Sequence, residues 1–198
     1  WRDWSSDVCS SDLGPLASAS ATNIRTASAV GAAGALTLNG ALVAGGVAVL
    51  DTTRRVLITS AGNDSGITFT LTGKNAAGDT LTEVLAGSNG STAQSVLDYK
   101  TLSSVVASGA SAGNVSIGTS SVGGSPWVML DPWAPSAVAI QLTVSGTVNY
   151  TLQQTLDDPN DPTSPVAAAN VAWLDSADSS VVGASTTQQS NYARSEEH

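Results

Sequence analysis

Three aspartates crowd one short loop of this sequence. Asp157, Asp158 and Asp161 lie within the stretch "DDPNDPTSP", and Ca²⁺ takes carboxylate oxygens of this kind as ligands. Their spacing differs from that of the helical calcium-binding loop, and the prolines between them limit how the carboxylates can converge. We interpret the segment as a solvated acidic turn, with a calcium site as the alternative.

Three tryptophans offer a second kind of chemistry. Trp127, Trp133 and Trp173 are candidates for stacking against sugars, because a pocket for a small ligand combines aromatic faces with a few placed polar groups. The competing interpretation is that two of them fill the junction between two modules, where their large area stabilises a small core. We favour the structural role and keep glycan binding as the alternative function.

The residue types most often used in catalysis stand only at the two ends of the chain. Cys9 is the one cysteine and His198 the one histidine. A legal back-translation of residues 8–13 is GTG TGC TCT TCC GAT CT, and its reverse complement, read as AGA TCG GAA GAG CAC, codes for Arg-Ser-Glu-Glu-His. That pentapeptide is the sequence of residues 194–198. Both ends therefore resemble a translated sequencing adapter, and we set aside residues 1–13 and 194–198 as adapter-derived.

Setting the ends aside removes most routes to catalysis. A Cys/His nucleophile, a histidine base and a thiolate metal site each need residues that the remaining body lacks. We therefore predict that the protein is not an enzyme, that it has no catalytic residue and that it uses no cofactor.

The charge of the body is sparse and negative. The whole chain has a formal net charge of −9, and without the two ends it contains five basic and eleven acidic residues. Such a surface repels nucleic acid and has no polybasic patch for a membrane. No apolar run reaches the roughly eighteen residues of a membrane-spanning helix. We predict neither nucleic acid nor membrane as a partner.

The elements that must position these residues are strands. Gly, Ala, Ser, Thr and Val dominate the composition, whereas the usual residues of surface helices are rare, which favours an all-β fold. Alternating apolar residues predict an antiparallel meander of three strands, followed by two strands in "YKTLSSVVASG" and "GNVSIGT". The meander is marked by Val56 and Ile58, then Ile67, Phe69 and Leu71, then Leu81 and Val84.

The segments on either side of this meander are predicted as hairpins. Asn39-Gly40 suits a tight turn, because both central residues of such a turn take positive φ, so residues 14–50 are either a flexible arm or a weak hairpin. Further on, "AVAIQLTVSGTVNYTLQQ" alternates cleanly and turns at Ser145-Gly146, which predicts the strongest hairpin of the chain. A short strand "VAWLD" follows.

These elements predict two small antiparallel modules, each sandwich-like or jelly-roll-like. The prolines of "GGSPWVMLDPWAPSA" exclude a central strand there and place the boundary between the modules. The first module then covers residues 51–125 and the second residues 126–193, with the arm or weak hairpin at residues 14–50 before them.

Several of these stretches resemble small virion structural proteins of tailed bacteriophages. They are "RRVLITSAGNDSGITFTLTGKNAAGDTLTEVLAG", "QLTVSGTVNYTLQQTLDD", "WLDSAD" and "QQSNYA", and the resemblance covers most of residues 54–193. In similar proteins the chain continues after an "NYA"-like tripeptide into a final hairpin. The resemblance therefore implies a second module that is truncated after Ala193.

The resemblance implies assembly rather than chemistry. It points to a capsid cement or decoration protein, or to another head or tail component, located in the virion. The implied partners are capsid or other virion proteins and further copies of the chain in a homo-oligomer. A glycan-binding module of a tail or cell-surface protein is the alternative.

Overall fold

The computed structural model describes residues 16–128, 137–158, 161 and 163–193. Contacts divide the chain into two units, Trp1–Val128 and Met129–His198, which are called unit 1 and unit 2 below. The predictions for residues 1–13, for Trp133 and for residues 194–198 lie outside the described residues. The all-β fold is confirmed: the described residues form antiparallel strands and two short 3-10 turns, without an α-helix.

Unit 1 is built from nine strands. The longer strands include the alternating stretches of the sequence, where β-branched residues fit a half-buried pleated surface. The strands are β1 (Ser20–Ala29), β2 (Gly34–Ala35), β3 (Val43–Ala44), β4 (Val47–Ser60), β5 (Thr68–Lys74), β6 (Thr80–Ala86), β7 (Thr92–Gln94), β8 (Tyr99–Ala107) and β9 (Asn114–Gly124).

These strands form one antiparallel sheet in the order β1-β9-β4-β8-β5-β6, with β2 attached to β8 and with β3 and β7 attached to β4. The long strand β4 changes partners along its length. Its start, at Ala48 and Val49, pairs with β8, whereas residues 56–60 pair with β9, and the ladders shift register in between. A register shift of this kind marks a bulge, which bends the strand.

The core of unit 1 consists of the buried apolar side chains of these strands. Strand β5 shows the pattern clearly, since Phe69 and Leu71 are buried while the threonines between them are half-exposed. Burial of such side chains is the main source of stability in a sheet of this kind. The other buried apolar side chains of unit 1 are Ile24, Val30, Ala48, Leu50, Val56, Ile58, Leu81, Tyr99, Leu102, Val105, Ala107, Val115 and Ile117.

The predicted meander is wrong in its pairing. Strand β8 lies between β4 and β5, and only β5 and β6 form the expected hairpin. The alternating pattern marks each strand correctly but carries no information about which strand lies beside it. Of the two residues that mark the third strand, Leu81 is buried and Val84 is exposed, because residues three apart in a strand point to opposite faces.

The predicted arm or weak hairpin at residues 14–50 is also wrong. Strand β1 is part of the sheet, at one end of the strand order, and pairs with β9. Asn39-Gly40 is not a hairpin turn, since the Gly40 N–H donates to the carbonyl of Ile24 on β1 at 2.8 Å. The tight turn lies instead at Gly45-Gly46, between β3 and β4. Both glycines have positive φ, +59° and +82°, as a two-residue hairpin turn requires.

Unit 2 contains two short ladders. Strand β10 (Ala137–Leu142) pairs with β13 (Gln188–Ala193), and β11 (Gln153–Gln154) pairs with β12 (Leu174–Asp175). The 3-10 turns cover Ala168–Asn170 and Ser179–Val181.

The hairpin predicted for residues 138–152 is wrong. Gly146 does turn with positive φ, but the returning chain leaves β10, whose partner is β13. Tyr150 bridges to Ala184 instead. The local pattern predicts extended backbone on both sides of Gly146. The partner of β10 is nevertheless β13, a segment much further along the chain.

Candidate functional site

The acidic loop uses its carboxylates to bond the backbone. The Asp157 carboxylate accepts from the Ala172 N–H at 2.7 Å. The Asp161 carboxylate accepts from the N–H groups of Thr163 and Ser164 at 2.7 and 2.8 Å, and the bonds from Ser164 and then Thr163 lower the pKa of Asp161. No group of three or more potential metal ligands occurs among the residues that the structure describes. The loop is therefore organised as a turn by its own side chains.

The tryptophan candidates are partly accessible. Trp127 belongs to unit 1 and Trp173 to unit 2, and each is 37% exposed. An amphipathic ring in this state can pack on one side and offer the other to a ligand. Trp133, the third candidate, lies outside the described residues.

A cluster of charged residues in unit 1 was missed by the sequence reasoning. It consists of Arg55 on β4, Glu83 on β6, and Asp98 with Tyr99 at the start of β8. Glu83 lies on the inner face of β6, where its carboxylate accepts from the N–H groups of Val96 and Leu97 at 2.7 and 3.2 Å. The signal was present in the sequence, because Glu83 alternates with Leu81 and Leu85 on the buried side of the strand.

The pKa of the Asp98 carboxyl in this cluster is raised above its ordinary value. Burial raises its pKa and the neighbouring Glu83 carboxylate raises it further, while Arg55 opposes both effects. The Arg55 Nε atom lies 3.6 Å from the Asp98 carboxylate.

Tyr99 is the most deeply buried member of the cluster. Its side chain is fully buried, and burial together with the Glu83 carboxylate raises its pKa. The ring packs against Gly73 of β5, where a Cβ atom would lie only 2.8 Å from the ring carbon Cδ1 of Tyr99. Glycine is needed at position 73 because a Cβ atom there would clash first with the backbone carbonyl oxygen of Thr101 and then with this ring.

The outer surface of β6, β5 and β8 forms a second feature, which we call the threonine face. The pairing aligns its members in cross-strand rows, so that Thr70 lies opposite Val84 on β6 and opposite Val106 on β8. Val84 is 62% exposed and Val106 39%. None of these members carries a charge, and the exposed Lys74 follows Thr72 on the same side of β5, at the end of the face. The threonine face comprises Thr68, Thr70, Thr72, Thr82, Val84, Ala86, Ser104 and Val106.

No helix among the described residues has the length and apolar character needed to cross a membrane. Comparison of the chain with protein-family models, with curated proteins and with solved structures finds no match. The functional proposal is therefore based on the geometry given above and on the resemblance drawn from the sequence.

Proposed function

We propose that this chain is a non-enzymatic structural component of a bacteriophage particle, as a capsid cement or decoration protein or another head or tail assembly component. The observation that carries the proposal is the threonine face. It presents short, β-branched and uncharged side chains in ordered rows over three paired strands. A protein that works by burying surface at many equivalent positions needs such a face.

Charge supports the use of this face for contacts. Without the two adapter-derived ends the chain has five basic and eleven acidic residues, so two copies repel each other. The members of the threonine face carry no charge, and Lys74 lies at its end, so burial of these members takes no ion out of water. Exposed Val84 and Val106 supply apolar area, and the threonine hydroxyls both donate and accept hydrogen bonds.

The edge of the sheet supports contact through the face rather than through strand addition. Strand β6 ends the strand order and carries the inward-pointing charge of Glu83, a device that protects edge strands against pairing with another chain. In a symmetric shell, many weak face contacts then add up to stable attachment.

The first experiment is genetic. The reading frame is recovered with its neighbours from the source DNA by long-read sequencing. A gene for a major capsid or tail protein beside it supports the proposal. A neighbourhood of polysaccharide-utilisation or adhesion genes contradicts it.

The second experiment is biochemical and uses particles of the phage found in this way. Val84→Glu together with Val106→Glu places two negative charges in the middle of the threonine face, and we expect at least about a tenfold loss of binding to the particles, since an unpaired charge in an interface costs more than 1.4 kcal/mol. The matched control is Val122→Glu, at an exposed valine of β9 outside the face. Equal binding of the double variant and the control contradicts the role of the face.

Glycan binding is the second candidate function, favoured by the partial exposure of Trp127 and Trp173. Titration with a panel of oligosaccharides is followed by tryptophan fluorescence in the wild type, Trp127→Ala and Trp173→Ala. A saturable change that one substitution removes supports this candidate. Fluorescence that responds to none of the sugars counts against it.

A further inference from the structure

Unit 1 contains two buried arginines, Arg54 on β4 and Arg25 on β1, and only Arg54 has a carboxylate partner among the described residues. Arg54 is almost fully buried and lies 3.3 Å from the Asp51 carboxylate. Arg25 on β1 is only 5% exposed, yet the ion pairs among the described residues include Arg54 and Arg55 but not Arg25. A buried guanidinium without a carboxylate is unusual, because burial of an ion is costly unless the ion is paired.

The hydrogen bonds of Arg25 all go to neutral acceptors. Its Nη1 atom donates to the carbonyls of Ser28, at 3.1 Å, and Val115, and its Nη2 atom donates to the Ser28 hydroxyl at 2.7 Å. A guanidinium has five N–H donors. The N–H of Nε and the second N–H of Nη2 have no acceptor among the described residues. These neighbouring nitrogens form the fork that matches the two oxygens of a carboxylate.

Arg25 lines an open groove of about 360 Å³. The other lining residues come from the end of β1, from the loop that follows it, from β2 and from the segment after β2 as far as Asn39, and none of them is charged. Small side chains, including Ala32 and Ala33, leave the space open. One buried positive charge in a neutral groove favours a ligand with a single negative charge.

We infer that this groove binds a carboxylate, held by the Nε and Nη2 donors of Arg25. The same chemistry is offered by a small free carboxylate and by an aspartate or glutamate side chain of another protein chain. The inference stands apart from the proposed function, since it uses neither the threonine face nor a virion partner.

The test is an NMR titration of the full chain, observing the Nε–H signal of Arg25. Acetate is the probe for a free carboxylate, an N-acetylated, C-amidated Gly-Asp-Gly peptide is the probe for a protein side chain, and chloride at equal ionic strength is the control. We expect a saturable shift with acetate or with the peptide and none with chloride. Tighter binding of the peptide assigns the site to a protein partner, and tighter binding of acetate assigns it to a small molecule. Identical responses to all three solutes overturn the inference.

Two variants separate binding from folding. Arg25→Lys keeps the charge but loses the fork, so carboxylate affinity should fall about tenfold, whereas the matched variant Arg55→Lys, at a partly exposed ion pair, should leave affinity unchanged. Ala33→Leu narrows the groove at an exposed position and leaves Arg25 in place, so it should abolish the shift even if Arg25→Lys fails to fold. Wild-type affinity in Ala33→Leu, or an equal loss in Arg55→Lys, overturns the site.

Discussion

Units 1 and 2 are stabilised in different ways. Among the described residues, fifteen of the sixteen buried apolar side chains belong to unit 1, and Val181 belongs to unit 2. Unit 2 is organised by backbone ladders and by turns such as the one at Asp178, whose carboxylate accepts from the Ser180 N–H at 2.9 Å. It also leaves Leu156 and Leu174 exposed. A smaller unit encloses a smaller share of its surface, so we expect unit 2 to be the less stable of the two.

The largest effect is expected in the core of unit 1. Phe69→Ala removes a fully buried ring and should cost about 3–5 kcal/mol of the free energy of unfolding. The control Leu156→Ala, at a fully exposed side chain of unit 2, should change it by less than about 0.5 kcal/mol. Urea unfolding followed by circular dichroism measures both. Similar losses in the two variants contradict the contrast between the units.

The next effect concerns a buried polar contact of unit 1. The Ser95 hydroxyl accepts from the Val56 N–H at 2.8 Å and donates to the Leu97 carbonyl at 2.9 Å. Ser95→Ala leaves these backbone groups without that partner and should cost about 1–3 kcal/mol. Ser121→Ala, at an exposed serine of β9, is the control. Equal denaturation midpoints for the two variants show that the hydroxyl contributes nothing.

A third effect should remain inside unit 2. Val181 is fully buried, and Val181→Ala removes two carbons from contact, worth about 1–2 kcal/mol. Hydrogen exchange should become faster in β11 and β12 and stay unchanged in β5 and β8. Faster exchange in both units means that they unfold as one cooperative body.

The smallest effect is a pH dependence of unit 1. Because burial and Glu83 raise the pKa of Asp98, the folded state binds this proton more tightly than the unfolded state, so Asp98 lowers stability as the pH rises from its ordinary pKa of about 4 through the raised value. Asp98→Asn should flatten the part of the melting-temperature profile that lies above about pH 4. Asp175→Asn, in unit 2, is the control. Parallel profiles for the wild type and Asp98→Asn refute the assignment.

The predictable part of the fold follows from local pattern. Alternation in "TFTLT" places Phe69 and Leu71 inside, and the same rule, applied to β6, places Glu83 on the inner face beside Leu81. The inward position of Glu83 in the charged cluster could therefore be predicted from the sequence. Its partners were not, because Asp98 and Arg55 meet only after β8 inserts between β4 and β5.

The sequence by itself determined that the chain is all-β, where β4, β5, β6, β8 and β9 lie and which residues of β5 point inward, because these properties depend on a period of two along the backbone. Tertiary structure decided which strands pair, that β1 is an integral part of the sheet, and that Arg25 is buried without a carboxylate. Pairing depends on packing and on hydrogen bonds between segments far apart in the chain. The alternation of residues within one strand does not specify which other strand it pairs with.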